Sequence, residues 1–152
     1  MKQEYSAGAG RTAEVGIQRA RERDLDAIDS LYRELKGDEY EQYARGARKM
    51  RARFRRIARA RDHHLMVAEC AGRVVGTLHV LIFRHLGHGA RPGAIVENVV
   101  VTEAMRSRGI GEALMKAARR IAQREGCYKP ALTSRTHRKA AHRFYERLGY
   151  RH

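Results

Sequence analysis

Arg106-Ser107-Arg108-Gly109-Ile110-Gly111 lies between the β-branched run Ile95–Val101 and a segment of helical period that starts at Glu112. A glycine-bearing turn between a strand and a helix can hold a pyrophosphate. Gly109 and Gly111 let the backbone approach a ligand, N–H groups at the helix N-terminus point outward, and Arg106 and Arg108 add positive charge. Phosphates at such a turn would come from a nucleotide-type cofactor. The loop lacks the Lys-Ser/Thr ending of a nucleoside-triphosphate loop, and Leu114 stands where a dinucleotide fingerprint has its third Gly or Ala, so both of those readings are excluded.

Other elements must hold this loop in place. Residues 1–13 are rich in Gly, Ala and polar residues and read as a flexible tail, leaving 14–152 as one domain. Glu14–Arg19 alternates as a first strand. Leu25, Ile28, Leu31, Tyr32 and Leu35 trace one face of a helix with Asp24 and Asp26 at its start and Lys36-Gly37 at its end. A basic helix follows at about 44–60. Two strands, His64–Glu69 and Arg73–Ile82, are joined by a turn at Ala71-Gly72, and Phe83–His85 can extend the second. Leu86–Gly93, with three glycines and Pro92, reads as a flexible loop able to border a substrate site. After Ile95–Val101, a helix from Gly111 to Arg124 buries Ala113, Leu114, Ala117, Ala118 and Ile121. Cys127–Ser134 is strand-like, and Lys139–Leu148 is a final helix. This order predicts an α/β (α+β) domain, a mixed sheet with helices on both faces.

At 152 residues and 43% hydrophobic content, with no long uncharged apolar run, the chain suits a single core, and neither a membrane span nor a signal peptide is expected. Cys70 and Cys127 sit in apolar strand-like contexts without metal-type spacing, which predicts buried free thiols in a reducing cytoplasm. None of the eight histidines forms a ligand pair with a carboxylate, so no metal is expected. The adjacent His63 and His64 would point to opposite faces of a strand. The formal net charge of +15 admits nucleic-acid binding or an arginine-rich composition that suits an anionic cofactor. From Arg45 to Arg61 nine Lys or Arg residues occur without one acid, yet Met50, Phe54 and Ile57 recur through them at helical spacing. That pattern is an amphipathic helix with a basic outer face, which favours a solvated surface, or one guiding an anionic substrate or CoA, over a nucleic-acid module.

Arg106, Gly109 and Gly111 resemble the acetyl-CoA loop of the GNAT N-acetyltransferase family, which reads Arg or Gln, two residues, Gly, one residue, Gly or Ala. Phe144-Tyr145-Glu146-Arg147-Leu148-Gly149-Tyr150 is similar to the aromatic-Tyr-three-residues-Gly-aromatic ending of the same family. The resemblance implies an acetyl-CoA-dependent N-acetyltransferase acting on a small-molecule amine, with homodimerisation as a family expectation. It also implies one or two strands after the last helix, whereas the sequence stops at Arg151-His152.

By that resemblance, Arg106, Ser107, Arg108, Gly109, Ile110 and Gly111 would bind the pyrophosphate. Val99, Val100 and Val101 would belong to a strand splayed from its neighbour, with Val99 and Val101 pairing with the pantetheine arm and the Val99 N–H polarising the acetyl oxygen. Tyr145 aligns with the tyrosine that protonates the sulfur; a phenol near pKa 10 can donate to a thiolate whose acid is near 8.5. Otherwise it is a packed aromatic beside Phe144. Glu97 would take the amine proton, directly or through water, or else form a salt bridge with one of the arginines. Asn98 would help orient the amine, but neighbouring strand residues face opposite ways, so Glu97 and Asn98 share a wall only if the strand is bulged. Glu97–Val101 and Gly126-Cys127-Tyr128-Lys129 are also similar to strands of glucosamine-6-phosphate N-acetyltransferases. This chain departs from that pattern at two positions: Asn98 stands where those enzymes carry an acid, and Arg138 where many family members put an Asn before the last helix. That likeness adds Asn98, Lys129 and Arg138 as substrate-binding candidates and an amino sugar or its phosphate as acceptor. A protein or peptide acetyltransferase is the alternative enzyme.

Overall fold

The structure is a computed structural model that describes residues 3–5, 13–43, 46–134 and 138–151. Six strands form one sheet in sequential order: β1 (Gln3–Tyr5), β2 (Ala13–Arg19), β3 (His63–Cys70), β4 (Arg73–Phe83), β5 (Gly93–Val101) and β6 (Pro130–Leu132). All neighbours are antiparallel except β5 and β6. Ala71 and Gly72 take φ of 48° and 75°, the left-handed pair that a two-residue hairpin between twisted strands requires.

The helices are α1 (Leu25–Lys36), α2 (Tyr40–Tyr43), α3 (Ala47–Arg59), the short α4 (Gly87–Ala90), α5 (Ile110–Arg124) and α6 (Lys139–Arg147). Strand alternation gives the sheet two apolar faces. On one, Leu78, Val80, Ala94 and Val96 pack with Ile110, Leu114 and Ala118 of α5. The other is covered by α1 against β4 and β5 and by α3 against β3, with Leu25, Ile28, Leu31 and Phe54 buried. Complete burial of Ile110 and Leu114 contributes roughly 1.5–3 kcal/mol each, which anchors the helix directly behind the Arg106–Gly111 loop.

Four expectations change. Part of the anticipated tail is a strand: Gln3–Tyr5 pairs with β2, Gln3 opposite Val15, so backbone pairing orders a segment whose composition gave no sign of it; residues 1–2 and 6–12 lie outside the described residues. The basic helix expected at about 44–60 is α3 and starts later, at Ala47, with Gly46 just before it at φ 77°; residues 44 and 45 lie outside the described residues. Within α3, Phe54 is buried and Met50 and Ile57 are half-buried, as their spacing predicts. The Leu86–Gly93 segment is a tight turn held by contacts rather than an open loop. His88 stacks on Tyr128 with ring centroids 3.9 Å apart, and the Tyr128 N–H donates to the Pro92 carbonyl at 3.0 Å. Finally, the Cys127–Ser134 strand shrinks to β6, which begins at a proline that has no N–H to pair.

Both cysteines are free and buried. His63 and His64 do face opposite ways: His63 Nδ1 lies 3.0 Å from His79 Nε2, while His64 is buried on the α5 side, 4.0 Å from Glu125. Among the described residues no helix is long and apolar enough to cross a membrane.

Candidate functional site

The site begins with a defect in β5. Thr77 pairs with Val100 and His79 with Glu97, so two steps along β4 match three along β5. The extra residue is Asn98, a non-glycine at φ 53°. This bulge satisfies the condition that the sequence imposed for Glu97 and Asn98: Glu97 stands in register with His79 and Asn98 lies beside Tyr32 of α1, while Val99 packs on the α5-side core, and all three line one cavity. Tyr32, on α1, lies beside Asn98; burial pushes the Tyr32 hydroxyl up to about 12, with Tyr40 adding to the shift and Asn98 opposing it.

Beside the bulge the sheet opens. The parallel pairing of β5 with β6 runs from Ala94 opposite Pro130 to Val96 opposite Leu132 and continues no further. The Thr102 N–H donates to the Val75 carbonyl at 2.9 Å, which makes Val101 and Gly76 a non-hydrogen-bonded pair and turns the Val101 N–H and C=O away from β4, toward the opening. A cavity of about 410 Å³ occupies the gap, lined on the α1 side by Leu35, Lys36 and Glu39 and on the far side by Thr133, Ser134, Arg138 and Tyr145. Glu97 accepts a hydrogen bond from the Thr133 hydroxyl at 3.3 Å, and no arginine pairs with it among the described residues.

The loop that follows β5 meets the start of α5. Ser107 and Gly109 take φ of 59° and 75°, two left-handed positions that fold the chain back before the helix. The N-cap of α5 is Gly109, which has no side chain with which to cap it; the Ala113 N–H donates to the Gly109 carbonyl at 3.0 Å, and the Ile110, Gly111 and Glu112 amides lie ahead of the intrahelical ladder. Amides so placed attract anions.

The Phe144–Tyr150 motif is a helix stop with a purpose. The Tyr150 N–H donates to the Tyr145 carbonyl at 3.0 Å and the Gly149 N–H to the Glu146 carbonyl at 2.9 Å, with Gly149 at φ 85°. These are the two bonds of a Schellman cap, and they explain the spacing of Tyr145, Gly149 and Tyr150. Tyr150 then packs edge-on against Tyr145 at 6.2 Å between ring centroids. A Cβ on Gly111 would sit 3.1 Å from the Phe144 ring, so the last loop glycine makes room for α6 and thereby for Tyr145. Burial pushes the Tyr145 hydroxyl above the ordinary tyrosine value; Arg138 works against the shift, and Tyr150 and Glu97 add to it.

The structure thus brings Glu97, Asn98, Val99, Arg138 and Tyr145 to one cavity. It does not bring Lys129, which precedes β6 and lines a separate depression with Arg119 and Tyr150. Val100 is buried and is not among the residues that line the cavity. Arg106 is not an open loop cation: its Nε donates to the Val101 carbonyl at 3.1 Å. Tyr32, Glu34 and Thr133 were missed as site residues. Tyr32 was visible only as part of the α1 apolar face, and nothing in the sequence links the other two to the loop or to Glu97.

Known proteins share this fold. The acetyltransferase (GNAT) family matches residues 25–150. The chain belongs to that family. It is 36% identical over 80 residues to a glucosamine 6-phosphate N-acetyltransferase of Trypanosoma brucei brucei, covering 53% of this chain and 52% of the relative. It is 36% identical over 88 residues to an aminoalkylphosphonate N-acetyltransferase of Salmonella typhimurium, covering 58% and 56%. The chain therefore spans about half the length of the curated relatives it matches. The solved structure of a Trypanosoma brucei acetyltransferase superposes with a TM-score of 0.75 at 26% identity, covering 91% of this chain and 93% of the other. The expected mixed α/β fold, with helices on both faces, is the fold of this GNAT chain.

Proposed function

We propose that this chain transfers the acetyl group of acetyl-CoA to the primary amine of a small molecule, in a ternary complex at the gap between β5 and β6. The observation that carries this reading is the convergence of Glu97, Asn98 and Tyr145 on one cavity beside the outward-turned Val101 backbone. The uncapped start of α5 suits the diphosphate, and the free edge of β5 suits the amides of an extended pantetheine arm.

When bound, acetyl-CoA supplies a thioester whose carbonyl carbon accepts an amine and whose sulfur departs. Glu97, oriented by Thr133, takes a proton from the incoming ammonium so that its nitrogen can bond to the acyl carbon. Val99, immediately after the bulge, offers its N–H to the acyl oxygen as that atom gains charge. Tyr145, kept protonated by burial, gives its proton to the sulfur as the carbon–sulfur bond breaks. The second proton leaves the nitrogen as the carbonyl re-forms and restores the one Tyr145 gave up, so the products are an amide and a free thiol, with the first proton left on Glu97.

The cavity also carries Lys36 and Arg138 alongside Glu39 and Glu97. Paired cations and carboxylates in one space fit an acceptor with an amine at one end and an anionic group at the other. The names of both curated relatives denote amines that bear phosphorus acids. A phosphorylated amino sugar or an aminophosphonate is therefore the favoured acceptor class. The test is acetyl-CoA-dependent thiol release with glucosamine 6-phosphate, an aminoalkylphosphonate, unphosphorylated glucosamine, an aminoglycoside and a basic peptide. Turnover confined to the first two supports this class, preference for glucosamine refutes it, and preference for the peptide replaces the small-molecule reading.

A further inference from the structure

Resting on the acetyl-CoA reading and going beyond it, we infer that Glu34 is a positioning residue for the diphosphate loop, acting from a helix far away in sequence. Its carboxylate is engaged by three groups of the segment that leads into the loop. The Thr102 hydroxyl donates to Oε1 at 2.8 Å, the Glu103 N–H donates to Oε2 at 3.0 Å, and Arg106 Nη2 lies 3.9 Å from Oε2.

These contacts fall at the two ends of one turn. Glu103–Met105 is a single turn of 3-10 helix flanked by Thr102 and Arg106, and no side chain of its own caps it. The Glu103 amide is the first orphan donor of that turn, and Glu34 satisfies it with a charged acceptor, the stronger kind of hydrogen bond. Arg106 closes the far end, bonding its Nε back to the Val101 carbonyl at 3.1 Å while its Nη2 faces Glu34. The strand end, the turn and the first loop residue therefore form one unit pinned to α1.

The loop beyond needs such a pin. Ser107 holds φ 59° without being glycine, a strained conformation that persists only where the surroundings impose it. On the helix side the loop is clamped by buried Ile110; on the strand side Glu34 is the clamp. A free carboxylate beside an anion-binding loop would repel the ligand. Here both oxygens are turned to donors, so Glu34 orders the loop while part of its charge is offset by Arg106.

The experiment is calorimetric titration of CoA into the full chain and into Glu34→Ala, Glu34→Gln and Thr102→Val, with acetyl-CoA and acceptor kinetics and thermal melting alongside. Loss of two charged hydrogen bonds predicts that Glu34→Ala weakens CoA binding about tenfold and raises the acetyl-CoA KM similarly, with kcat and the acceptor KM unchanged. Glu34→Gln, which still offers an acceptor, falls between it and the unmodified chain, and Thr102→Val weakens binding about threefold. A lower melting temperature with unchanged CoA affinity would make Glu34 a stabiliser of α1 only and overturn the inference. Tighter CoA binding by both Glu34 variants would also overturn it, by making the residue a repulsive charge. Failure of the unmodified chain to bind CoA would remove the acetyl-CoA reading itself, and this inference with it.

Discussion

Acid should destabilise this protein through His79, and the size of the effect follows from where β4 puts that ring. His79 stands on the α1 side of the sheet with its Nε2 3.0 Å from His63 Nδ1. Burial, then the neighbouring His63 and His64, lower its pKa from 6.5 to about 4. A base whose folded-state pKa is depressed is held neutral by folding. Its contribution is therefore complete above the unfolded value near 6.5 and is lost as pH falls through the window down to about 4. At pH 5 the full shift would remove about 2 kcal/mol, and solvent screening of a ring that is not wholly buried reduces this to ~1 kcal/mol. The perturbation is His79→Gln, which retains a polar group of similar reach but does not titrate. Urea unfolding of both proteins at pH 7, 6 and 5 gives the difference directly, because carboxylates and His64 titrate alike in the two. The unmodified protein should lose ~1 kcal/mol more than the variant between pH 7 and 5. Parallel pH profiles would refute the reasoning and show that the His63–His79 contact accommodates a proton in the fold.

Two further outcomes test the site and its frame. Tyr145→Phe keeps the ring that packs on Phe144 and Tyr150, so CoA binding measured by calorimetry should stay within about twofold while turnover by thiol release falls roughly 100-fold; an unchanged rate would take Tyr145 out of the mechanism. Gly93→Ala places a Cβ 2.2 Å from the Phe83 ring. Chemical denaturation should then show a loss of about 1–3 kcal/mol as Phe83 is driven from its position across the β4–β5 pair, and a variant as stable as the parent would mean that the ring moves freely.

Local pattern carried much of the structure. The stripe of Leu25, Ile28 and Leu31, the Ala71-Gly72 turn and the buried face of α5 each depend on interactions within a few residues, and each appears where its spacing places it. The Phe144–Tyr150 ending was legible only as a likeness to the family motif; that it is a helix stop, a local hydrogen-bond pattern, came from the structure. Where the outcome depended on a distant partner, the sequence was silent. The ordering of the Leu86–Gly93 segment rests on Tyr128, and the edge strand β1 exists through its pairing with β2.

The sequence by itself determined the chemistry available: a glycine loop before a helix, a carboxylate and an amide on the preceding strand, and a tyrosine at the end of the last helix. Only the tertiary structure decided which of these meet. Whether Glu97 and Asn98 share a wall depends on one residue of slippage between β4 and β5, a register choice set by packing on both faces of the sheet. Whether Lys129 joins them depends on the path of the chain between α5 and β6. That Glu34 reaches the loop depends on how α1 lies across the sheet. Residue types and local spacing are properties of the chain, whereas cross-strand register and the docking of a helix on a sheet are settled by the sum of many distant contacts, which no single stretch of sequence contains.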